Sequence, residues 1–134
     1  MRAGGINWLA VVAAAITIYA IGFVMFAMMI PMESYIAMSG ITETQQATAM
    51  TRMIYSPIMP IMTAVFLAIL WKWGQVADAV GGVKWGLLVA LASAVPTVLY
   101  GWVYDGDNTS LTMIDCAHVM LGHMAAGAIL GGWK

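Results

Sequence analysis

The sequence predicts an all-α integral membrane protein, a bundle of four transmembrane helices with both termini in the cytoplasm and a short helical segment on the outer side. Of 134 residues, 63% are hydrophobic and only 8% are charged, whereas a soluble domain has about 25% charged residues. The apolar residues form runs of the roughly 20 residues that cross a bilayer. Tryptophan and tyrosine cluster near the ends of these runs, as in the aromatic belts of membrane proteins.

The apolar runs predict four spans within one domain that covers residues 1–134. The chain opens with Met1-Arg2 and turns apolar at once, which resembles a signal peptide. Apolar sequence continues to Ile30, which is too long for a signal peptide and predicts a retained first span. The spans are predicted at residues 7–30, 53–73, 83–104 and 111–133.

Prolines mark the end of the first span and predict bends in two others. Pro31 lacks an amide N–H and has a fixed φ, so we expect the first span to end there. Pro57 and Pro60 fall in the first half of the second span, where we expect them to kink the helix. Pro96 lies inside the third span, where neighbouring helices can satisfy the carbonyl that it leaves free.

Residues 32–52 join the first two spans and are predicted to be helical in two parts. Ser39-Gly40 is expected to end the first part, because glycine readily adopts the left-handed backbone of a helix C-terminus. Thr42 followed by Gln45 matches a capping box and predicts the start of the second part. This second helix is expected to continue unbroken into the second span.

The distribution of lysine and arginine predicts the orientation, because positive residues resist translocation whereas acids matter little. Only Arg52 falls on one side, which is therefore predicted to be the outer side. The natural location is the inner (plasma) membrane, with membrane lipid as a partner. The basic residues on the predicted cytoplasmic side are Arg2, Lys72, Lys84 and Lys134, and the outer acids are Glu33, Glu43, Asp105 and Asp107.

The charge and cysteine content argue against several classes of function. A net charge of −1 supplies no basic field for nucleic acid, so we expect no nucleic-acid partner. Cys116 is the one cysteine, which rules out an intrachain disulfide and a Cys-x-x-Cys pair. The sequence carries no catalytic signature, which disfavours an enzyme without deciding the question.

Three ionisable residues, Asp115, His118 and His123, fall inside the fourth predicted span and are the candidate ligand-binding residues, because ionisable groups inside a membrane usually have a function. At about 100° per residue, Asp115 and His118 share a face with Gly122 and Ala126, and His123 points about 140° away from His118. The competing interpretation is structural. Asp115 then forms a polar notch at the outer surface with His118 as its hydrogen-bond partner, and His123 bonds to a neighbouring helix.

Methionine is abundant, with 13 residues, and raises the question of a metal. Thioethers are soft ligands for Cu(I), but methionine is also a flexible packing residue, and we favour packing. One helix cannot present both histidines to one haem or metal. We therefore expect no cofactor, with copper and haem as the less favoured alternatives. The methionine stripes are Met25, Met28, Met29 and Met32 on the first span and Met113, Met120 and Met124 on the fourth.

Small residues four positions apart predict close contacts between membrane helices. Gly127 and Gly131 form a Gly-x-x-x-Gly pair on the fourth span, and Ala10 and Ala14 form a similar pair on the first. Such pairs permit self-association of the protein but do not require it.

Six short features, each weak alone, occur in an order that points to a known family. They are Ile6-Asn7-Trp8-Leu9-Ala10-Val11, Gly22, Gly40-Ile41-Thr42, Asp105-Gly106, His118 and Gly127-Ala128-Ile129-Leu130. Over nearly the whole chain they resemble the small bacterial membrane proteins grouped as domain-of-unknown-function family seventeen sixty-one. The resemblance implies a four-helix membrane fold and no particular activity.

The chain departs from this family at several positions. Asp115 stands where the family often has a small polar residue such as asparagine. Met25-Phe26, followed by Met28, stand where the family tends to have a Trp-Tyr pair and a proline, and Tyr35 stands in the place of a tryptophan. If the family's aromatic residues line a binding site, this chain has an altered version of it.

Three functions fit these observations. The favoured one is a small structural or accessory membrane protein that packs with a larger membrane complex or with copies of itself. The alternative is a small-molecule carrier or binding protein, with a pocket between helices lined by Asp115 and His118. A membrane redox or metal enzyme that uses His118 and His123 is less favoured, because it needs two helices or subunits to converge. The sequence does not identify a substrate, a partner or an oligomeric state.

Overall fold

The computed structural model describes residues 2–133, which are almost entirely helical. Met1 and Lys134, the latter among the basic residues used to predict the orientation, lie outside the described residues. The elements are β1 Arg2–Ala3, β2 Ile6–Asn7, α1 Trp8–Phe23, α2 Met32–Ser39, α3 Glu43–Arg52, α4 Ile58–Trp73, α5 Ala79–Val89, α6 Val95–Tyr100 and α7 Thr109–Gly132. A 3₁₀ turn covers Met53–Tyr55, and π-helical turns cover Val24–Met28, Ala90–Ala94 and Gly101–Asp105.

Three helices in the described chain are long and apolar enough to cross a membrane, or four if a bent pair counts as one span. This confirms the prediction of a helical protein that is compatible with several membrane spans. We number these candidate spans in chain order: the straight ones are the first, Trp8–Met28, the third, Ala79–Asp105, and the fourth, Thr109–Gly132, and the bent pair Glu43–Tyr55 with Ile58–Trp73 is the second.

The third span begins at Ala79, four residues before the predicted start at residue 83. The Asp78 side chain caps this helix by accepting a hydrogen bond from the Gly81 amide at 2.7 Å. Asparagines cap the first and fourth spans in the same way, since Asn7 accepts from the Leu9 amide and Asn108 from the amide of Ser110. Side-chain caps therefore fix the starts of these helices.

The connector between the first two spans has the two helices that the sequence predicts, α2 and α3. Gly40 ends α2 with a left-handed backbone, φ +64°. Thr42 and Gln45 form both hydrogen bonds of the capping box that opens α3. The expected unbroken passage into the second span was wrong, because α3 ends at Arg52 and a 3₁₀ turn precedes α4.

Pro57 accounts for this break and for a bend of 43° between the two helical segments. A proline disfavours α-helical backbone in the residue before it and donates no hydrogen bond. Pro60 lies in the first turn of α4, where no partner is needed for its missing N–H, so the predicted kink arises at Pro57 alone. Pro96 occupies the equivalent first turn of α6, directly after a π-helical turn.

The fourth span, α7, lies at the centre of the bundle. It packs against α5 along much of its length and against α1 on another side, while α4 packs mainly against α1. The lateral order is therefore third, fourth, first and second span, with the second and third spans at the edges. The core lies where α1, α4 and α7 meet and consists of Val11, Ala14, Ala15, Ala64, Leu67, Ala68, Trp71 and Ala126.

Glycines on α5 and α7 bring two helix backbones into direct contact. Gly82 and Gly86 are buried and face the backbone of Gly127 and His123 on α7. A Cβ atom at Gly82 would overlap the Gly127 carbonyl group, and one at Gly127 would overlap the Gly82 carbonyl oxygen. The sequence signal for this contact was the Gly82-x-x-x-Gly86 spacing, a common motif at membrane helix interfaces.

The small-residue pairs predicted on the first and fourth spans are used within the chain. Gly127 and Gly131 both pack against the α5 end of the third span, and Ala10 and Ala14 are 1% and 0% exposed. Neither pair is therefore available for self-association in this structure.

The first and last residues that the structure describes lie at the same end of the bundle, which we call the terminal end. There the Asn7 side-chain amide donates a hydrogen bond to the Trp133 carbonyl oxygen at 3.3 Å. A two-stranded hairpin that sequence reasoning missed covers this end, with Arg2 opposite Asn7 in the pairing. Its turn is Gly4-Gly5, with φ +60° and +76°, which was the sequence signal for it. The opposite end, with α2, α3 and the loop 106–108, is the connector end.

Candidate functional site around His118

The two candidate histidines face different neighbours, as their spacing predicts. His118 is directed toward the first span, where a Cβ atom at Gly22 would lie 2.9 Å from its Nε2 atom. Gly122, one turn further along α7, faces Ile18 on the same side. The backbone of His123 instead lies against Gly86 of the third span. The histidines therefore do not form one site within the chain.

Gly22 makes room for the imidazole ring of His118. No side chain other than hydrogen would leave the Nε2 atom where it is, because a Cβ contact of 2.9 Å is tighter than van der Waals packing allows. The ring also approaches the backbone carbonyl of Ile18, one helical turn before Gly22. A missing side chain on one helix thus matches a bulky ring on the other.

An aromatic row continues from His118 toward the connector. The rings of His118 and Phe26 pack edge to face, with centroids 5.4 Å apart and planes at 89°. Phe26 in turn packs edge to face with Tyr35, with centroids 6.5 Å apart and planes at 84°. Phe26 lies in the π-helical turn that ends the first span and Tyr35 in α2, so the row joins three elements. Edge-to-face contacts of this kind are favourable because the positive ring edge meets the negative ring face.

Asp115 lies one turn before His118 on α7 and is half-buried. Counted from Thr109, where α7 starts, it is about 9 Å along the helix from the connector end. Among the described residues no hydrogen bond joins its carboxylate to His118, so the structural interpretation was wrong about that bond. The physical reason is the direction of the imidazole ring, which packs toward Gly22 and Phe26 instead.

His123 has a different role from the one expected. Its Nδ1 atom lies 2.7 Å from the carbonyl oxygen of Val119, four residues earlier in its own helix. The expected bond to a neighbouring helix was therefore wrong, because the ring bonds to a carbonyl of its own helix. We assign His123 to helix packing and exclude it from the site, which we call the histidine site: Gly22, Phe26, Tyr35, Asp115 and His118.

Within residues 2–133, no group of three histidine, cysteine, aspartate or glutamate side chains is arranged to hold a metal ion. The methionine stripe of the first span is largely on the surface, with Met28 and Met29 about 70% exposed. On the fourth span Met113 is 63% exposed, whereas Met120 and Met124 are half-buried. Both stripes thus have members on the apolar outer surface of the bundle.

Sequence reasoning named Asp115 and His118 as candidate ligand residues and noted Gly22, Phe26 and Tyr35 only through the family resemblance, without joining them to His118. The available signal was the four-residue spacing of Gly22 and Phe26, which puts a gap and a ring on the same helix face.

The chain matches the profile of a family described as "Protein of unknown function (DUF1761)" over residues 9–131. It belongs to that family. The family is the one that the sequence motifs indicate, so the resemblance is confirmed over nearly the whole chain. No curated protein and no solved structure is significantly similar to the chain. Family membership supplies no activity.

Proposed function

We propose that this DUF1761 protein is a small structural or accessory protein of the bacterial inner membrane. It spans the membrane four times with both termini in the cytoplasm, and it packs with a larger membrane complex or with a second copy of itself. The protein acts through this association rather than through catalysis. The shape and exposure of the second span carry the proposal.

The distribution of charge between the two ends of the fold supports the four-span topology. Of the lysines and arginines in residues 2–133, Arg2, Lys72 and Lys84 belong to the terminal end and Arg52 to the connector end. Positive residues are retained in the cytoplasm, so the terminal end faces the cytoplasm. Of the bent pair, α3 is polar and α4 is apolar, so α4 is the part of the second span that crosses the membrane and returns the chain to that side.

The second span is short and contacts the bundle along one narrow stripe. The buried residues of α4 recur every three to four positions and face α1 and α7. Most of the remaining residues are apolar, and many of them are exposed, including Met62, Phe66 and Trp73; Lys72 lies in the last turn. A helix that is apolar all round belongs in a membrane or against another apolar surface.

Length distinguishes this helix from the other candidate spans. The 16 residues of α4 cover about 24 Å, whereas the hydrocarbon core of a bilayer is about 30 Å thick. A span that is too short is accommodated by thinning the bilayer or by association with other helices. The exposed apolar face of α4 is therefore the surface at which a partner helix gives the largest benefit.

Site-specific photocrosslinking in the source membranes tests this assignment. Benzoylphenylalanine at Phe66 on the second span is expected to give one discrete protein adduct, either a dimer of this chain or a complex with another membrane protein. The matched control is Leu88 on the third span, because the two side chains are similarly exposed, at 58% and 55%. Lipid adducts alone are expected at Leu88. Lipid adducts alone at both positions would contradict the proposal.

A small-molecule carrier or binding protein is the second candidate, and the aromatic row around His118 favours it. Edge-to-face rings beside a half-buried carboxylate provide both apolar and polar contacts, the combination that small-molecule sites use. Asp115 and His118 would supply the polar contacts to a ligand lying between the first and fourth spans.

This candidate is tested by the mass of any small molecule that remains bound after gentle purification. Asp115→Asn and His118→Ala are expected to lose it, and His123→Ala, at a histidine outside the site, is expected to keep it. Circular dichroism of each variant checks that the helices still form. Retention of the molecule by the Asp115 and His118 variants would remove these residues as its ligands.

A further inference from the structure

A cavity of about 470 Å³ opens at the terminal end of the bundle, away from the histidine site. It lies between the β1–β2 hairpin, the last turn of α4 with the residues after it, and the end of α7. The residues that give it polar or aromatic character are Arg2, Asn7, Trp71, Lys72, Gln75 and Trp133.

The hairpin closes one side of this cavity and holds a lysine beside it. Gly5 at the hairpin turn has φ +76° and packs on the Lys72 side chain, so that a Cβ atom there would lie 3.3 Å from Cε and 3.7 Å from Nζ. Arg2 lies on the first strand of the same hairpin. The hairpin thereby brings two basic residues, distant in sequence, to one opening.

The charge of the cavity lining is positive. Arg2 and Lys72 are the charged residues among its described lining, and the side-chain amides of Asn7 and Gln75 add further hydrogen-bond donors. The N-terminus of α1, which Asn7 caps, contributes partial positive charge. The C-terminal ends of α4 and α7 contribute about half a negative charge each, which two full positive charges exceed.

Gln75 gives the cavity a second unusual feature. Within residues 2–133 it is the one non-glycine residue with a left-handed backbone, φ +51°. Residues other than glycine, asparagine and aspartate rarely adopt this conformation. The reason is the end of α4, where the Gln75 and Val76 amides donate to the carbonyls of Lys72 and Trp71 and form a Schellman motif with Gln75 in the left-handed position. Here it brings an amide side chain to the rim of the cavity next to Lys72.

The floor of the cavity is apolar, formed by Ile6, Ala10, Ala68, Val76 and Leu130. Trp133 at this cavity is 45% exposed, and exposed tryptophans are common at the depth of lipid headgroups. A small, fully hydrated anion uses only the rim of such a cavity. A ligand with an anionic head and an apolar body uses both the rim and the floor.

We infer that this cavity binds the phosphate headgroup of an anionic phospholipid. The Arg2 guanidinium and the Lys72 ammonium hold the phosphate oxygens, an arrangement in which arginine contributes two parallel N–H donors. The amide of Gln75 donates to the headgroup, and the apolar floor receives the first part of the acyl chains. This inference concerns the terminal end and does not depend on the proposed association of the second span.

Native mass spectrometry of the full chain in detergent micelles tests the site, with dioleoylphosphatidylglycerol and dioleoylphosphatidylcholine added as competing probes. Basic residues near a membrane surface each contribute roughly 1 kcal/mol to the binding of anionic lipid. We therefore expect a preference of about tenfold or more for phosphatidylglycerol. Equal retention of the two lipids would overturn the inference.

A matched pair of variants separates the cavity from the general charge of this end. Lys72→Gln and Lys84→Gln each remove one positive charge from the terminal end, but Lys84 does not line the cavity. We expect Lys72→Gln to weaken phosphatidylglycerol binding about fivefold and Lys84→Gln to leave it unchanged. Lys72→Arg, which keeps the charge, is expected to keep the binding. Equal losses at positions 72 and 84 would overturn the assignment to the cavity.

A final arm distinguishes a lipid from a free phosphate. Inorganic phosphate and glycerol 3-phosphate at millimolar concentration are expected to leave phosphatidylglycerol bound, because neither occupies the apolar floor. Displacement of the lipid by either probe would show a phosphate site without a lipid preference, and would overturn the lipid assignment. Circular dichroism of every variant establishes that a loss of binding is not a loss of fold.

Discussion

The second and third spans lie at opposite edges of the bundle and are held in different ways. The third span is fixed to α7 by backbone contact at Gly82 and Gly127, where neither helix can carry a side chain. The second span is held by side chains, chiefly Leu67 and Trp71, which pack into the core with α1. Trp71 also donates a hydrogen bond to the Gly127 carbonyl oxygen at 3.3 Å. Both edges expose apolar side chains, but one is held by backbone contact and the other by side chains of a shorter helix.

Among these substitutions, Gly127→Ala is expected to lower the free energy of unfolding most, because it disrupts the backbone contact between α5 and α7. A methyl group there would overlap the Gly82 carbonyl oxygen and lie 3.1 Å from the Trp71 ring. Since a backbone cannot rotate away as a side chain does, we expect a loss of about 3 kcal/mol in the free energy of unfolding. Unfolding in mixed detergent micelles, followed by circular dichroism, measures it.

Gly122→Ala is the matched control on the same helix. Its methyl group would meet the Ile18 side chain at 3.5 Å, an ordinary contact. Alanine also favours a helix over glycine by about 1 kcal/mol, so we expect unchanged or slightly increased stability. Similar losses in the two variants would contradict the account of the third span.

The second span is tested by truncating a leucine on each of its faces. Leu67 is 2% exposed and Leu70 is 42% exposed on the same helix. Leu67→Ala leaves a cavity in the core and is expected to lower the free energy of unfolding by about 2 kcal/mol. Leu70→Ala is expected to change it by less than about 0.5 kcal/mol, measured in micelles of the isolated protein. An equal effect at both positions would mean that α4 faces the bundle differently.

The contact between Gly22 and His118 predicts a smaller effect. Gly22→Ala forces the imidazole ring away from its place against Phe26, and we expect a loss of about 1 kcal/mol. The loss is expected to disappear when His118 is already alanine, because the coupled partner is gone. A double-mutant cycle of unfolding free energies measures the coupling. Additive effects of the two substitutions would show that the two residues do not touch.

The aromatic row predicts the smallest change. Phe26→Leu removes two edge-to-face contacts and keeps most of the volume, so we expect a loss of about 0.5 to 1 kcal/mol. Phe23→Leu is the control, because Phe23 is 58% exposed on the outer surface of the same span. The difference in unfolding free energy between the two variants is the quantity to compare, and no difference would remove the row as a stabilising feature.

Much of the architecture follows from sequence pattern alone. Apolar runs of membrane length, the Thr42–Gln45 capping box and the Gly40 helix end are local signals, and the structure has all three features. The break before α4 was missed because the apolar and helical patterns continue through Met53–Tyr55, whereas the local constraint of Pro57 on its neighbours decides the backbone.

The site was predictable only in part, because it depends on how helices meet. The positions of Asp115 and His118 on one face follow from helical spacing, and the structure brings His118 to Gly22 and Phe26. Which neighbour that face meets is set by the lateral order of the helices, and the glycine contacts of α7 determine that order. Pattern along one helix does not contain this information, so the aromatic row came only from the structure, whereas the hairpin at the terminal end had a local signal in Gly4-Gly5 that was missed.

Native mass spectrometry of the protein, extracted gently from its source membranes, tests the central claim of a structural or accessory role most directly. The measurement reports subunit number, protein partners and bound small molecules in one spectrum. The account predicts a complex of fixed stoichiometry, with another membrane protein or with a second copy of this chain. A free monomer that carries a small molecule or a metal would contradict it and would make Asp115 and His118 the functional centre.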